Sequence, residues 1–202
     1  MKKKKILFFV TEDWYFLSHR INLAKYLIGK GYDVSVCCKD TGKIKNIIKE
    51  GVNFYNLNIH RKSLSLYNFF FEIFSFRKVL NEVNFDIVHF ISLRPIVVGI
   101  IASFFIKKKY FATFTGMGFL FIKRGLIAYC IKFIIMKIIK LFIISNKLKI
   151  IVQNKDDQKL LSIRYKIYKK SINIIRGSGI DLNYYNFSPE RKGKNIKLAY
   201  AG

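Results

Sequence analysis

Apolar positions along this chain fall into short unbroken runs separated by longer stretches of helical periodicity. The first run, Ile6-Leu7-Phe8-Phe9-Val10, has no polar interruption, which predicts a strand buried on both faces, as in a parallel sheet covered by helices. A polar and aromatic loop over 11–17 follows. A helix then opens at Ser18 as N-cap, with Ile21, Leu23, Ala24, Leu27 and Ile28 as its apolar face. Gly29 and Gly31 end that helix and residues 33–38 form a second strand. This βαβ opening makes the first strand the expected centre of the sheet, and the loop at its carboxyl end the first place to look for a site.

The pattern then repeats along the chain. It predicts a short helix over 43–50, a strand over 53–57, an apolar helix over 63–81 and a strand over 86–90. A helix led by Pro95 follows, then a strand over 110–114, a long helix over 123–146, a strand over 149–152, a helix over 155–162 and a strand over 172–175. Regular alternation of this kind predicts an α/β fold with a Rossmann-like, doubly wound parallel sheet over residues 1–182. Residues 183–195 are polar, with Pro189 and Gly193, and read as a linker. Residues 196–202 read as the first strand of a further, truncated domain.

Composition narrows the partners. Lys and Arg number 37 against 12 acidic residues, a net charge of +25, which points to an anionic membrane surface or nucleic acid. Abundant Lys, Ile, Asn, Phe and Tyr also suggest an AT-rich coding bias, which does not by itself account for the shortage of acids. No motif that reads RNA or DNA accompanies the charge, and the aromatics sit in apolar runs, so nucleic acid is set aside. Cys37, Cys38 and Cys130 show no CxxC spacing and read as small core residues of a reducing compartment, with no metal site. The apolar run after Lys2–Lys5 stops at Thr11-Glu12-Asp13, too short for a signal peptide. Lysines interrupt every longer apolar stretch before the ~18 residues a membrane span requires. The expected location is cytoplasmic.

Ligands of open parallel sheets bind beyond the carboxyl ends of the strands. The predicted loops there carry Arg61 with Lys62, Arg94 before Pro95, Thr115-Gly116-Met117-Gly118, and Gly177 with Gly179. Arginine can hold a phosphate bidentately, and glycines let backbone N–H groups approach an anion or a sugar. Glu12, Asp13 and His19, beside the first strand, are candidate catalytic groups. The loop after the first strand contains no glycine, which removes the dinucleotide fingerprint; the chain has no P-loop, His/Cys metal cluster or GxSxG.

Several segments together carry a family resemblance: KILFFVTEDWYFLSHRINLAKYLIGKGYDVSV, FDIVHFISLRP, FATFTGMGFLF, IIVQNKDD, IIRGSGIDLNYYN and KLAYAG. The chain resembles the N-terminal, acceptor-side domain of a GT-B glycosyltransferase of family 4. The RKSL, SLRP and TGMG-F pieces look most like enzymes acting on polyprenyl-diphosphate-linked saccharides in surface polysaccharide or glycan assembly. The resemblance implies that the lipid-linked acceptor binds this half, and that a UDP-type sugar binds a donor domain absent from the chain. It also implies transfer with retention, without a required metal or other cofactor, and no turnover by this half alone. The alternative is an acceptor- or membrane-docking subunit of a split enzyme. Many relatives carry His-Gly after the fifth strand where this chain has Thr115-Gly116, so a histidine-assisted step at that position is not expected.

The predicted long helix adds a basic edge, Lys123, Arg124, Lys132, Lys137 and Lys140, to an apolar body. That combination suits the interface of an anionic membrane. A polyprenyl acceptor would require such a position, peripheral at the inner face of the cell membrane.

Overall fold

A computed structural model describes residues 3–60, 65–116, 125–146, 148–179 and 182. Strand β1 (Lys5–Glu12) leads into helices α1 (Asp13–His19) and α2 (Ile21–Gly29), then β2 (Asp33–Lys39), α3 (Ile44–Lys49) and β3 (Asn53–Asn56). The second half runs α4 (Leu66–Glu82), β4 (Ile87–Ile91), α5 (Leu93–Ala102), β5 (Lys109–Phe114) and α6 (Leu126–Asn146). It ends with β6 (Lys149–Val152), α7 (Lys155–Lys159), a π-helical turn (Leu160–Arg164) and β7 (Ile172–Ile174).

The seven strands form one sheet, ordered β3-β2-β1-β4-β5-β6-β7, with every pairing parallel. This is the Rossmann-like, all-parallel arrangement that the alternation predicts. The run 6–10 is apolar throughout because successive side chains point to opposite faces and both faces are covered. Ile6, Phe8 and Val10 pack with Phe16 of α1, Ala24 of α2 and Ile47 of α3. Leu7 and Phe9 join Phe76 of α4, Ile96 and Ile100 of α5, and Met136 and Phe142 of α6. Helices α1–α3 therefore cover one side of the sheet and α4–α6 the other. Close approach is built into the second layer: a Cβ on Gly99 would fall 2.4 Å from the fully buried Phe90 ring.

Because α1 and α5 leave the sheet on opposite sides, the direction in which strands are added to the sheet reverses between β1 and β4. That switch opens a crevice at the carboxyl edge. Ser92, just after β4, sits at φ 75° and ψ 162°, a backbone region that glycine alone adopts at low cost. Its N–H donates to the Thr113 carbonyl at 3.0 Å, which ties the strained turn to β5.

Several local expectations are corrected. The stretch 11–17 is the end of β1 followed by helix, not a loop, and Ser18 is no N-cap. Its hydroxyl donates to the carbonyls of Trp14 (2.9 Å) and Tyr15 (3.2 Å) inside α1. The break comes two residues later at Arg20 (φ −130°, ψ −11°). Helix α4 is capped by Ser65, whose side chain accepts from the Asn68 N–H. Cys37 and Cys38 are buried, where burial drives both thiols well above their ordinary pKa; Cys130 is exposed on α6 and is not a core residue. The linker 183–195 and the strand read over 196–202 lie outside the described residues.

Candidate functional site

Parallel strands place all their carboxyl ends on one edge, so the segments that follow them share a rim. Along it lie Arg94 after β4, Thr115 and Gly116 after β5, residues 153–155 after β6, and Gly177 and Gly179 after β7. Gly116, Gly177 and Gly179 adopt φ of 113°, 64° and 74°, values that a side chain would disfavour. Arg61, Lys62, Gly118, Lys123 and Arg124 lie outside the described residues.

The loops after β6 and β7 meet around an open cleft of about 730 Å³ lined by Gln153, Asn154, Lys155, Ile174, Arg176 and Gly177. Two cationic side chains beside a glycine suit an anionic or sugar ligand. The Asn154 side chain, by contrast, caps α7 by accepting from the Asp157 N–H at 2.7 Å. Lys155 and Arg176 are not among the residues that the sequence singles out. Only the pairing of β6 with β7 brings them together.

Arg94 stands at the rim in the first turn of α5, but its charge is met from within the chain. Its Nε–H donates to Glu72 Oε2 at 2.8 Å, and the guanidinium lies 5.2 Å from the centre of the Phe69 ring. Glu72 is fully buried and its other oxygen accepts the His60 backbone N–H at 2.8 Å. The pair thus fastens the loop after β3, helix α4 and helix α5 to one another beneath the rim. Glu72 is the one acid inside the apolar run Phe69–Phe76, and a lone carboxylate in such a run is the signal that could have marked it.

The three catalytic candidates separate clearly. Asp13 is fully buried, and its carboxylate accepts the N–H groups of Thr41 (2.8 Å), Lys43 (2.8 Å) and Trp14 (2.7 Å) together with the Thr41 hydroxyl. Burial alone would raise its pKa, but these hydrogen bonds outweigh it and hold the carboxyl below its ordinary value. A saturated, acidic carboxylate of this kind anchors α1 to the loop before α3 and has no lone pair left for a substrate proton. His19 lies in the last turn of α1, not the first turn of the helix as the sequence suggests. It is exposed, with Nδ1 2.6 Å from the Ser18 hydroxyl and its ring stacked on Tyr15 at 4.5 Å. Glu12 ends β1 at the switch crevice, half-buried, and its carboxylate makes no hydrogen bond among the described residues.

Deeper in the sheet, His89 on β4 is buried and its Nε2 lies 2.7 Å from the Thr113 hydroxyl. Burial, and secondarily the charge of Arg20, lower its pKa to about 3. The imidazole is therefore neutral at physiological pH. Among the described residues no group of three or more His, Cys, Asp or Glu side chains is placed to hold a metal ion.

A family model described as glycosyl transferase 4-like matches residues 5–154. No curated protein matches the chain. Among solved structures, a glycosyltransferase from Rickettsia africae superposes with a TM-score of 0.66 at 20% identity, over 94% of this chain and 47% of that one. HepE of Anabaena, solved with UDP and glucose, gives 0.61 at 16% identity over 92% and 47%. MurG of Acinetobacter baumannii gives 0.54 at 12% identity over 88% and 46%. The chain spans about half the length of each, and at these identities the likeness carries the fold. The profile match covers most of the sheet, from β1 through the carboxyl end of β6, and on it the chain belongs to the glycosyl transferase 4-like family.

Proposed function

We propose that this chain is the acceptor-side half of a retaining glycosyltransferase that works at a membrane surface. In this reading it moves a sugar from a UDP-type donor to a polyprenyl-diphosphate-linked saccharide in surface polysaccharide or glycan assembly. The donor binds a second domain. The observation that carries the reading is the rim itself, where cations and left-handed glycines from separate loops gather at the edge that takes ligands in open parallel sheets. Lys155, Arg176 and Gly177 would receive the acceptor's charged or sugar portion, and Thr115 can hydrogen-bond a sugar hydroxyl. Glu12 remains the carboxylate at the crevice that is free to act on a proton.

Membrane docking is the second part of the proposal. Helix α5 packs between α4 and α6, so those two helices flank one layer. The outward side of α4 exposes Leu66, Tyr67, Phe70, Phe71 and Phe74, and that of α6 exposes Tyr129, Phe133, Ile134, Leu141 and Ile144. Exposed apolar side chains gathered on one face of each helix in this number mark an interaction face. Lys137, 5.3 Å from the Phe133 ring, with Lys132 and Lys140 on the same helix, supplies the charge that anionic headgroups attract. No described helix is long and apolar enough to cross a membrane, so contact with the bilayer would be lateral.

Sedimentation with vesicles tests both parts. The protein should pellet with phosphatidylglycerol vesicles and far less with phosphatidylcholine. Binding should fall by about a hundredfold or more when Lys132, Lys137 and Lys140 become glutamate, at roughly 1 kcal/mol for each lysine. A few mole per cent of polyprenyl-diphosphate-linked N-acetylglucosamine in the vesicles should tighten binding further. Equal binding with and without that lipid would overturn the acceptor reading, and equal binding to both phospholipids would overturn the docking surface.

A further inference from the structure

Opposite the rim, the amino-terminal edge of the sheet carries a feature that the acceptor reading does not use. Lys107, Lys108 and Lys109 lead into β5, Lys149 opens β6, and Lys166, Lys169 and Lys170 precede β7. These three strands are neighbours, so at ~4.8 Å from strand to strand their starts lie within about 10 Å of one another. Between Asp86 and Asp181 the chain has only two acids, Asp156 and Asp157, and both sit in the first turn of α7, at the rim. None of these lysines makes an ion pair among the described residues. Lys108 is held by the Asn84 side chain.

A cavity of about 700 Å³ opens within this basic edge, lined by Gln158, Ser162, Lys166, Tyr168, Lys169 and Lys170 together with Ile167. The fold fixes its wall. Leu161 and Ile167 are buried, and the Ile167 N–H donates to the Leu161 carbonyl at 3.0 Å. Between these anchors Lys166 takes a φ of 52°, a left-handed backbone that is costly for a residue with a side chain. Lys166 is exposed, and Tyr168, just past the second anchor, is 75% exposed. The π-helical turn that brings the chain here is a local geometry often found at functional sites. The Ser162 hydroxyl donates to the Gln158 carbonyl at 2.7 Å, and the Gln158 amide donates to the Ile172 carbonyl at 3.3 Å. The side-chain oxygens of both residues keep their capacity to accept.

We propose that this cavity receives an acidic, extended segment of a partner protein. Ammonium groups act as point charges and attract carboxylates without a fixed planar geometry. No arginine and no glycine lines the cavity, so it lacks both the guanidinium fork and the backbone nest that favour phosphate. The oxygens of Gln158 and Ser162 can accept N–H groups of an extended peptide, and Tyr168 offers an aromatic surface to pack against it. The cavity is concave and separate from the outward faces of α4 and α6, so a flat bilayer does not fill it. The inference is independent of the acceptor reading, which uses the other edge of the sheet.

Fluorescence anisotropy of the full chain at physiological ionic strength tests it. The probe is a fluorescein-labelled peptide of alternating glutamate and serine, with its lysine counterpart as control. The acidic peptide should bind and the basic one should not. In K166E/K169E/K170E the Kd of the acidic peptide should rise by about tenfold or more. K43E/K45E/K49E makes the same change in net charge around α3 and should shift it by about twofold or less. If the first variant does not fold, K169E/K170E should weaken binding several-fold while K43E/K45E does not. Equal losses in the two sets of variants would overturn the proposal, because they would reduce the binding to net charge. Failure of the acidic peptide to bind would overturn it as well. So would a larger loss at the cavity variant for oligouridylate or phosphatidylglycerol vesicles than for the peptide, which would assign the edge to nucleic acid or to the bilayer.

Discussion

Replacing Asp13 with alanine is expected to destabilise the fold by about 3–4 kcal/mol, because hydrogen bonds to a charged group contribute about 1.5–3 kcal/mol each and two long-range ones to this buried carboxylate are lost. The substitution orphans the N–H groups of Thr41 and Lys43, which tie the start of α3 to the start of α1 across 28 and 30 positions of sequence. Asp13→Asn keeps one oxygen and loses the charge, so its stability should fall between those of the alanine variant and the unmodified protein. The effect depends on pH with a definite sign. The folded-state pKa lies below the ordinary 3.8, so the carboxylate contributes its full stability above that value and loses it as pH falls through the lower, folded-state pKa. Urea titrations of D13N and the unmodified protein should therefore diverge at neutral pH and converge below pH 3.8. A constant gap down to acid pH would show that Asp13 acts through shape alone.

The second large effect is expected at Glu72. Glu72→Gln leaves the Arg94 guanidinium, whose side chain is 18% exposed, facing a neutral amide in the protein body. Breaking a buried pair on one side costs about 3–5 kcal/mol, and partial exposure of Arg94 puts the expected loss near about 3 kcal/mol. Removing both charges, as in E72L/R94M, should recover most of that loss, since well-packed apolar residues replace buried ion pairs at little net cost. A double variant no more stable than E72Q would mean that Glu72 matters through His60, whose N–H it also accepts, and not through Arg94. The pair also bears on function: Arg94 reaches the rim as a neutralised partner of Glu72, so it shapes the loop after β3 more than it attracts an anion.

The sheet is legible in the sequence because most strands are apolar runs with their own boundaries, the edge strand β3 (Asn53–Asn56) being the exception. Ile6–Val10 has no alternation, as a strand covered on both sides requires, and the crossover helices follow at the expected lengths. Expectations fail where a side chain's partner lies far away in sequence. Thr11–Leu17 reads as loop because Glu12, Asp13 and Ser18 are polar. Asp13 nevertheless opens a helix by binding a loop 28 residues on, and Ser18 satisfies its hydroxyl on the carbonyls of the turn behind it. Arg94 reads as a free cation because Glu72 lies 22 residues before it. The rim glycines are visible as GxG spacings, and their left-handed φ values agree with that. Lys155 and Arg176 are not, since no local pattern says that β6 and β7 are neighbours.

The central claim is that the acceptor meets this chain along the carboxyl edge of the sheet. Hydrogen–deuterium exchange in phosphatidylglycerol nanodiscs, with and without polyprenyl-diphosphate-linked N-acetylglucosamine, tests it most directly. The account predicts added protection at residues 92–95, 115–116, 153–155 and 176–179, with the amino-terminal ends of β1, β2 and β4 unchanged. Protection confined to those amino-terminal ends, or none at the rim while the lipid is bound, would contradict it.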